Sequence, residues 1–396
     1  MKRLVSDSAA PASPQKKNQK KSAASDRTGD ARPSQESLRD PSFSQDVIAW
    51  QKKHGRHALP WQSTRDAYRV WLSEIMLQQT QVAAVIPYYE RFLRRFPDVR
   101  SLASAAIEDV MAHWSGLGYY SRARNLHKCA QAVVAQYGGV FPSDPDLLEQ
   151  LPGIGRSTAA AIAAFSYGTR AAIMDGNVKR VFARVFGIDR YPGEKQVEDA
   201  MWRRAVALLP EQDVEAYTQG LMDLGATLCV RSRPDCHRCP LAQRCVAHAT
   251  GRANELPVRK PKKTVPERQT AMLLVTDGEQ VLLQQRPAVG IWGGLLSLPE
   301  ISMSDDGVAE DALHATVAPF GTAASIERLP LLSHTFTHFK LHITPYQVRL
   351  AQRQPRIAEA DHVWYAAHAL RDAPLPAPVK KLLLAVFRER DLLSGQ

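Results

Sequence analysis

The sequence has no long apolar run, and this absence limits the kinds of protein it can encode. In its 396 residues, no stretch approaches the roughly 18 consecutive apolar residues of a membrane-spanning helix. The N-terminus carries basic residues but lacks the apolar segment of a secretory signal. Internal repeats are also absent. We therefore expect neither a membrane-spanning nor a secreted protein.

Cysteine is scarce, and its placement argues against a disulfide framework. Only five cysteines occur, and four of them cluster at Cys229, Cys236, Cys239 and Cys245. Such a cluster suits a reducing compartment and a metal site. Four thiolates can ligate a [4Fe–4S] cluster or a tetrahedral zinc ion. Structural zinc sites usually use two close pairs, whereas only Cys236 and Cys239 form a close pair here, so the spacing favours the iron–sulfur cluster.

Acidic residues are too few to balance the basic ones. The chain has 51 Lys and Arg against 40 Asp and Glu, with a formal net charge of +11 and a pI near 9.5. This balance indicates a polyanionic partner, with nucleic acid ahead of a membrane surface, although many basic proteins bind no nucleic acid. The length predicts two or three domains.

The apolar pattern changes along the chain and divides it into four regions. Residues 1–40 have almost no large apolar side chains, which predicts a disordered basic tail. Residues 41–250 show helical periodicity interrupted by Gly and Pro, which predicts an all-α body large enough for two lobes and a cleft. Residues 251–267 contain prolines and basic residues and predict an extended linker. Residues 268–396 show apolar runs of period two, which predict a small α+β domain.

Element boundaries follow from the same patterns. In the helical body we expect one continuous helix over Tyr68–Val85, with the next helix beginning at residue 87. In the last region we expect five strands and a closing helix, at residues 271–275, 281–285, 328–335, 339–349, 362–365 and 376–390.

The stretch Leu151–Arg180 begins with a glycine-rich turn that no regular element could accommodate. Gly153 and Gly155 can take positive φ and leave their N–H groups facing outward. Arg156 and Ser157 then start an alanine-rich helix, whose free N-terminal amides form an anion site suited to a phosphate. Asp175 lies at the far end of the stretch. A purely structural helical hairpin with an Asp N-cap fits the same pattern.

A second carboxylate lies beside an apolar helix stripe. Glu74 flanks the stripe that Trp71, Leu72, Ile75 and Met76 form. Burial against an apolar wall raises the pKa of a carboxyl group toward neutrality, which a general acid needs. The alternative is a solvated glutamate next to core residues.

Polar and aromatic side chains follow in places that suit base contacts. Gln78 and Gln79 come just after Glu74 and can read base edges or fill a vacated stack, or else they form an exposed helix face. Tyr119 and Tyr120 lie in a glycine-flanked turn and can stack on bases, or else pack in the core.

Two carboxylates on separate elements, a phosphate hairpin and a basic body suffice for cleavage of an N-glycosidic bond. One acid protonates the departing base, and the other carboxylate stabilises or attacks the oxocarbenium ion. The target base must first leave the helical stack, which requires a pocket and a wedge.

Several motifs then stand together: LPWQ at 59–62, SEIMLQQTQV at 73–82, GLGYYSRARNLHK at 116–128, LPGIGRSTA at 151–159, MDGNVKRV at 174–181 and the four cysteines. With them the chain resembles the MutY-type adenine-specific mismatch glycosylases, within the helix-hairpin-helix superfamily that includes endonuclease III. The resemblance covers nearly everything from Phe43 onward. It implies a two-lobed all-α body with one [4Fe–4S] cluster in the 229–245 loop, followed by a MutT/Nudix-like domain.

The resemblance also implies roles for the residues of the catalytic centre. Glu74 is the acid that protonates adenine N7, and Asp175 is the carboxylate that faces the anomeric carbon. Asn177 and Tyr119 support catalysis. Endonuclease III carries a lysine nucleophile directly after the hairpin arginine, where this chain has Ser157. We therefore expect a monofunctional enzyme without strand cutting.

DNA contacts are implied by the same resemblance. Gln79 and Tyr119 resemble the wedge that enters the helix beside the orphan base, with Leu77 and Gln78 next to it. The hairpin that holds the DNA backbone comprises Gly153, Gly155, Arg156 and Ser157.

The C-terminal region resembles the domain that reads the damaged guanine opposite the adenine. Its loop carries Phe336, Thr337 and His338, where the family usually shows Phe-Ser-His. Thr337 keeps the hydroxyl group but adds a methyl group. The acids downstream of Gly293 do not form the Nudix metal-binding motif, so we expect a binding module; they are Glu300, Asp305, Asp306, Glu310 and Asp311.

The expected substrate is duplex DNA with adenine opposite 8-oxoguanine or guanine, bound by a monomer; downstream repair proteins are the other partners we consider. The expected location is the bacterial cytoplasm at the nucleoid, or the nucleus or mitochondrion of a eukaryote. Three alternatives stay open at this point: an endonuclease III-like glycosylase with lyase activity, a non-catalytic iron–sulfur sensor of DNA lesions, and a nucleotide pyrophosphohydrolase.

Overall fold

The computed structural model describes residues 36–260, 265–287, 290–304, 307–336, 338–354 and 361–393, the last six of these by their backbone alone. The predicted tail lies outside the described residues up to residue 35. Its last part is ordered, because Glu36–Leu38 forms a short 3-10 helix and Leu38 is buried.

Helices make up most of the first 250 residues, and we number them along the chain. They are α1 Pro41–His54, α2 Ala67–Leu77, α3 Val82–Arg95, α4 Val99–Ser104, α5 Ile107–Trp114, α6 Ser121–Tyr137, α7 Pro145–Glu149, α8 Arg156–Tyr167, α9 Gly176–Val185, α10 Lys195–Ala207, α11 Val214–Asp223 and α12 Val246–Ala249. A π-helical turn, Leu224–Leu228, follows α11 directly.

The C-terminal region combines strands and helices. The strands are β1 Glu267–Thr276, β2 Gln280–Gln285, β3 Leu296–Ser297, β4 Glu300–Ile301, β5 Gly321–Arg328, β6 Leu332–Thr335, β7 Lys340–Arg353 and β8 His362–Ala366; the helices are α13 Glu310–Val317 and α14 Ala377–Leu393. The sequence prediction missed α13, β5 and the two short strands β3 and β4.

The predicted continuous helix over Tyr68–Val85 is wrong. The chain leaves the helix after Leu77 and begins the next one at Val82. Pro87 therefore lies inside α3 rather than at its start.

The break after Leu77 has its cause in α6. The buried guanidinium of Arg122 donates hydrogen bonds of 2.6–2.9 Å to three carbonyl oxygens of the last turn of α2, those of Ile75, Met76 and Gln78. A helix leaves its final carbonyls without intrahelical partners, and a cation that binds them stabilises its end. Gln79 then turns the chain with a φ of 57°.

The helical body has two lobes, as predicted. One core contains residues of α2 to α7, and the other contains residues of α1 and α8 to α11. The alanine-rich helix α8 belongs to both, because Ala159 and Ala163 face the first core while Ala160 and Ala161 face the second. Small side chains on opposite faces of one helix let the two lobes pack closely.

The last domain is a mixed sheet between two helices, which confirms the predicted small domain of helices and strands. Its main strand order is β3-β2-β1-β7-β5, with β1 parallel to β7 and the other pairs antiparallel. Alternate residues of β1 point to opposite faces: Leu273 packs in the core with α13, whereas Leu274 packs in the core with α14.

The first lobe and the α14 face of the sheet share one continuous hydrophobic core. Hydrogen bonds cross the same boundary, because Ser115 Oγ donates to the Leu375 carbonyl and Arg124 donates to the Gly293 carbonyl. The two domains are therefore packed together over an apolar surface. No helix in the described ranges has the length and apolar character to cross a membrane.

Candidate active site

A cavity of about 480 Å³ opens between the two helical lobes. Its size falls within the range of about 300–1,000 Å³ that is typical of small-molecule sites. The lining combines aromatic and polar side chains with two carboxyl groups, those of Glu74 and Glu215, and also includes Gln51, Arg56, His57, Trp61, Gln62, Phe165 and Gln219. The cavity has the mixed character of a site for a flat, polar ring.

Glu74 extends from the last turns of α2 into this cavity. The residue as a whole is partly exposed and lines the cavity, while its carboxyl group is buried in the protein. Burial, and secondarily the charge of Asp175, raises the pKa of Glu74 to about 8. The carboxyl group is therefore mostly protonated at neutral pH and can donate a proton.

Asp175 is the N-cap residue of α9, as the structural alternative in the sequence analysis predicted. Its Oδ1 accepts a hydrogen bond of 2.7 Å from the Val178 N–H, and its Oδ2 accepts one of 3.0 Å from Asn177 Nδ2. Burial raises the pKa of Asp175, while these hydrogen bonds and the charge of Arg180 oppose the rise. The donors favour the ionised form over the neutral one.

Arg180 connects Asn177 to the end of the helical body. Its Nη2 donates to Asn177 Oδ1 and to the Gly225 carbonyl, both at 2.7 Å, and its Nε donates to the Cys229 carbonyl at 2.7 Å. A Cβ at Gly225 would lie 2.4 Å from Asn177 Cβ, so this approach requires glycine. Sequence reasoning gave Arg180 no role, although it stands in the MDGNVKRV motif.

The four cysteines surround one largely apolar space. Cys229 follows the π-helical turn, and two short 3-10 turns carry the chain round to Cys245. All four thiols line the same cavity, beside Val181, Leu224 and Leu228. Among the residues the structure describes, no Cys, His, Asp or Glu side chains form a group of three that could hold a single metal ion.

Two arginines fix the cysteine loop to the rest of the body. Arg184 is fully buried and donates to Cys229 Sγ at 3.3 Å and to the Val230 carbonyl at 2.7 Å. Arg244 bonds to Asp40 at 2.6 Å and to Asp46 at 2.9 Å, both at the start of α1. The loop is therefore anchored from two sides.

The glycine hairpin has the predicted turn before α8, with one difference. Gly153 has a φ of 80°, but Gly155 adopts an extended conformation with a φ of −99° as the N-cap of α8. A Cβ at Gly153 would lie 2.8 Å from Asn125 Cβ. No side chain caps α8, so its first amides face a shallow pocket that Arg156, Ser157 and Lys195 line.

Ser157 makes a bond that links the hairpin to the second carboxylate. Its Oγ accepts a hydrogen bond of 2.9 Å from the backbone N–H of Met174, the residue before Asp175. The hydroxyl group at this position therefore has a structural partner.

The two predicted wedge loops lie next to each other because Arg122 binds both. Its guanidinium donates to the Gln78 carbonyl at 2.6 Å and to the Gly118 carbonyl at 3.2 Å. Gln79 and Tyr119 both have positive φ, at 57° and 50°, and Tyr119 is 47% exposed. Positive φ in such residues clusters at functional sites. Leu77 and Gln78 are partly buried beneath them. Sequence reasoning missed Arg122.

Tyr119 also lines a second cavity, of about 700 Å³, between the helical body and the last domain. Phe336 and His338 line it from the opposite side, so the structure brings these predicted residues together with Tyr119. Thr337 lies outside the described residues. Sequence reasoning missed Trp292 and Arg124, which also line this cavity.

The acidic residues of the last domain are dispersed. Glu300 forms an ion pair of 2.5 Å with Arg286, and Glu310 and Asp311 stand in the first turn of α13. Asp305 and Asp306 lie outside the described residues.

Comparison with known proteins agrees with this division of the chain. The profile of the HhH-GPD superfamily of base excision DNA repair proteins matches residues 72–206, and that of the NUDIX domain matches residues 270–385. The chain is 37% identical to the adenine DNA glycosylase of Buchnera aphidicola (subsp. Acyrthosiphon pisum), over 86% of this chain and 96% of that protein.

Two further matches lie at greater distance. The chain is 32% identical to the adenine DNA glycosylase of Rattus norvegicus, over 86% of this chain and 77% of that protein. The solved structure of a thermostable thymine-DNA glycosylase aligns with a TM-score of 0.49 and 28% identity, over 53% of this chain and 96% of that chain.

Proposed function

This chain belongs to the adenine DNA glycosylase family, enzymes of base excision repair, and we propose that it removes adenine paired with 8-oxoguanine or guanine. Glu74 and Asp175 act on the N-glycosidic bond. The observation that carries this proposal is the enclosed carboxyl group of Glu74, whose pKa of about 8 suits a proton donor in the inter-lobe cavity.

The first step is protonation of the base. The flipped adenine enters the inter-lobe cavity, and Glu74 donates its proton to N7 of the ring. The C1′–N9 bond then breaks, and its electron pair leaves with the protonated base. A neutral carboxyl group is needed here, and the enclosed position of Glu74 provides it.

The second step is stabilisation of the sugar. As the base leaves, positive charge develops on the oxocarbenium ion, and the ionised Asp175 stabilises it or attacks C1′ to form a covalent intermediate that water hydrolyses. Asn177 orients Asp175 through its 3.0 Å hydrogen bond, and Arg180 orients Asn177 in turn. Tyr119 supports the reaction from the edge of the DNA-facing loops.

The enzyme is monofunctional in this proposal. Schiff-base formation at C1′ requires an amine, and Ser157 offers a hydroxyl group that already accepts the Met174 N–H. We therefore expect base release without strand cutting, in contrast to an endonuclease III-like lyase.

DNA binding uses two surfaces of the helical body. The amides at the start of α8, with Gly153, Gly155 and Arg156, hold a backbone phosphate. Gln79 and Tyr119 enter the duplex next to the base opposite the adenine, with Leu77 and Gln78 behind them. In the C-terminal domain, Phe336, Thr337 and His338 read that opposite base.

The cysteine loop holds one [4Fe–4S] cluster in this proposal. Four thiols around one apolar space suit a cluster with a thiolate at each iron better than one zinc ion. The bound cluster would supply a rigid anchor for residues 229–245. The purified protein should be yellow-brown, whereas a colourless protein with stoichiometric zinc would contradict the cofactor proposal.

One assay tests substrate and mechanism together. Duplexes with adenine opposite 8-oxoguanine, adenine opposite guanine, or an oxidised pyrimidine are incubated with the enzyme and analysed with and without alkali. We expect adenine release from the first two, with strand breaks only after alkali. Breaks without alkali, or activity on the oxidised pyrimidine alone, would favour the endonuclease III-like alternative.

A lesion-sensing protein without catalysis is the second candidate, favoured only by the DNA-facing surfaces. It predicts tight duplex binding with no adenine release.

Since chromosomal DNA is the substrate and several relatives are bacterial, we propose that the protein works at the nucleoid of a bacterial cell.

A further inference from the structure

The inter-domain cavity of about 700 Å³ has a wall of four aromatic side chains in contact with one another. The Phe336 ring stacks on Phe339 with centroids 4.6 Å apart, and meets His334 edge-on at 4.6 Å. Trp292 completes this aromatic wall, with its ring centroid 5.5 Å from Phe336 and 5.9 Å from His334. Three of these residues belong to β6 and the segment after it, whereas Trp292 comes from a distant loop.

Trp292 holds its place at a conformational cost. Its φ is 56°, in a region that bulky side chains rarely adopt, and its side chain is only 7% exposed. Such strain persists only where the surroundings fix the backbone, and it concentrates at functional sites.

The surroundings that fix Trp292 include the helical body. Arg124, on α6, donates to the carbonyl of Gly293, the next residue. The Trp292 carbonyl itself accepts a hydrogen bond of 3.1 Å from the Leu295 N–H. Arg124 stands two residues after Arg122, which holds the Tyr119 loop. The Trp292 segment therefore connects two sides of the cavity: the neighbouring Gly293 carbonyl bonds to the helical body, and the indole ring contacts Phe336 and His334.

We propose that Trp292 is a positioning residue for recognition of the base opposite the adenine. Its ring and the neighbouring Gly293 carbonyl set the distance between the helical body and the side of the cavity that carries Phe336 and His338, so that the preference for 8-oxoguanine over guanine depends on Trp292. This inference rests on the proposed function, in which the C-terminal domain reads that base.

The test measures single-turnover rates of adenine release from duplexes with 8-oxoguanine or guanine opposite the adenine. Trp292→Leu should lower the ratio of the two rates roughly three- to tenfold, which corresponds to one lost aromatic contact. Trp292→Phe should restore most of the ratio, because a ring still reaches Phe336. Arg124→Met should lower the ratio in the same direction, because it releases the backbone next to Trp292.

Phe320→Leu is the matched control. Phe320 is a buried aromatic of the same domain on the opposite, α13 side of the sheet, where its ring packs on His362 at 5.1 Å. It should lower thermal stability without changing the rate ratio.

Three outcomes are distinguishable. A lower ratio in Trp292→Leu and Arg124→Met, with Phe320→Leu unchanged, supports the inference. An unchanged ratio, or equal losses on both duplexes, overturns it while leaving the proposed function intact. A wild-type enzyme that releases adenine at equal rates from both duplexes would overturn the inference alone, whereas one that releases no adenine from either duplex would overturn the proposed function.

Discussion

Glu74 and Asp175 carry the same chemical group in two contrasting surroundings. Glu74 lies at the end of α2 against an apolar wall, where burial raises the pKa of its carboxyl group to about 8. Asp175 lies at the start of α9, where the Val178 amide, Asn177 and Arg180 oppose the effect of burial. Burial raises the pKa of both carboxyl groups, but only Asp175 has hydrogen-bond donors and an arginine beside it that favour its ionised form.

The two regions also differ in how they are held. The Glu74 region depends on side-chain packing and on one arginine, Arg122, that closes α2. The Asp175 region depends on a chain of hydrogen bonds that runs through Asn177 and Arg180 to the Cys229 carbonyl. Changes to the cysteine loop should therefore affect the second region more than the first.

Glu74→Gln should have the largest effect of the substitutions, because it removes the acid and leaves Asp175 unchanged. Without the acidic proton, adenine release should fall by a factor of about 10²–10⁴, while duplex affinity stays within a few-fold. Release is measured under single-turnover conditions, and affinity by titration of a labelled duplex. Glu90→Gln, on the exposed face of α3, is the control and should retain full activity. Unchanged release by Glu74→Gln would refute its assignment as the acid.

Asp175→Asn removes the charge but keeps an N-cap side chain. The release rate should fall by about 10²–10³, because the oxocarbenium ion loses its anionic partner. The melting temperature should stay nearly constant, since asparagine caps helices as well as aspartate does. A large loss of stability with little loss of rate would mean that Asp175 acts only as a cap.

Arg180→Met cuts the hydrogen-bond chain behind Asp175. Hydrogen bonds to charged groups contribute about 1.5–3 kcal/mol, so the release rate should fall roughly ten- to a hundredfold. Arg190→Met removes an exposed pair with Glu194 in the same lobe and serves as the control. Equal effects of the two variants would show that Arg180 has no special connection to Asp175.

The pH dependence of the release rate tests the raised pKa of Glu74, and it is the smallest effect we expect. Only the neutral form of Glu74 donates a proton, so the release rate should fall about tenfold per pH unit above about pH 8. In Glu74→Gln this alkaline limb should vanish, leaving a low and flat rate. A decline that starts below pH 6 would contradict the raised pKa.

Sequence reasoning reached the features that are local in the chain. The glycine hairpin, the N-cap at Asp175 and the grouping of the cysteines each depend on neighbours within a few residues. The break after Leu77 could not be predicted, because Arg122 causes it from 44 residues away in sequence and from another helix. Trp292 and Arg180 escaped notice for the same reason, since Trp292 contacts Phe336 and His334 and Arg180 binds the carbonyls of Gly225 and Cys229, all in distant segments.

The C-terminal domain was harder to predict than the helical body. Helix α13 carries only two buried residues, Leu313 and Val317, so its apolar stripe is too short to recognise. Strand β5 alternates mostly small and exposed residues, and its pairing with β7 shifts register at Ala323. Neither element has a strong apolar periodicity of its own. Each forms because the long strands β1 and β7 provide the surface it packs on or the strand it pairs with.

Because the carboxyl group of Glu74 is enclosed, the chain should take up a proton when it folds at neutral pH. Its pKa of about 8 in the folded chain exceeds the ordinary 4.5, so between these values the unfolded chain releases a proton that the folded chain keeps. Stability should fall as pH rises through this window, by about 3 kcal/mol at pH 7. Unfolding at neutral pH should therefore release a proton, and its calorimetric heat should vary with the ionisation heat of the buffer. Glu74→Gln, inactive in repair, should melt at a higher temperature than the wild type.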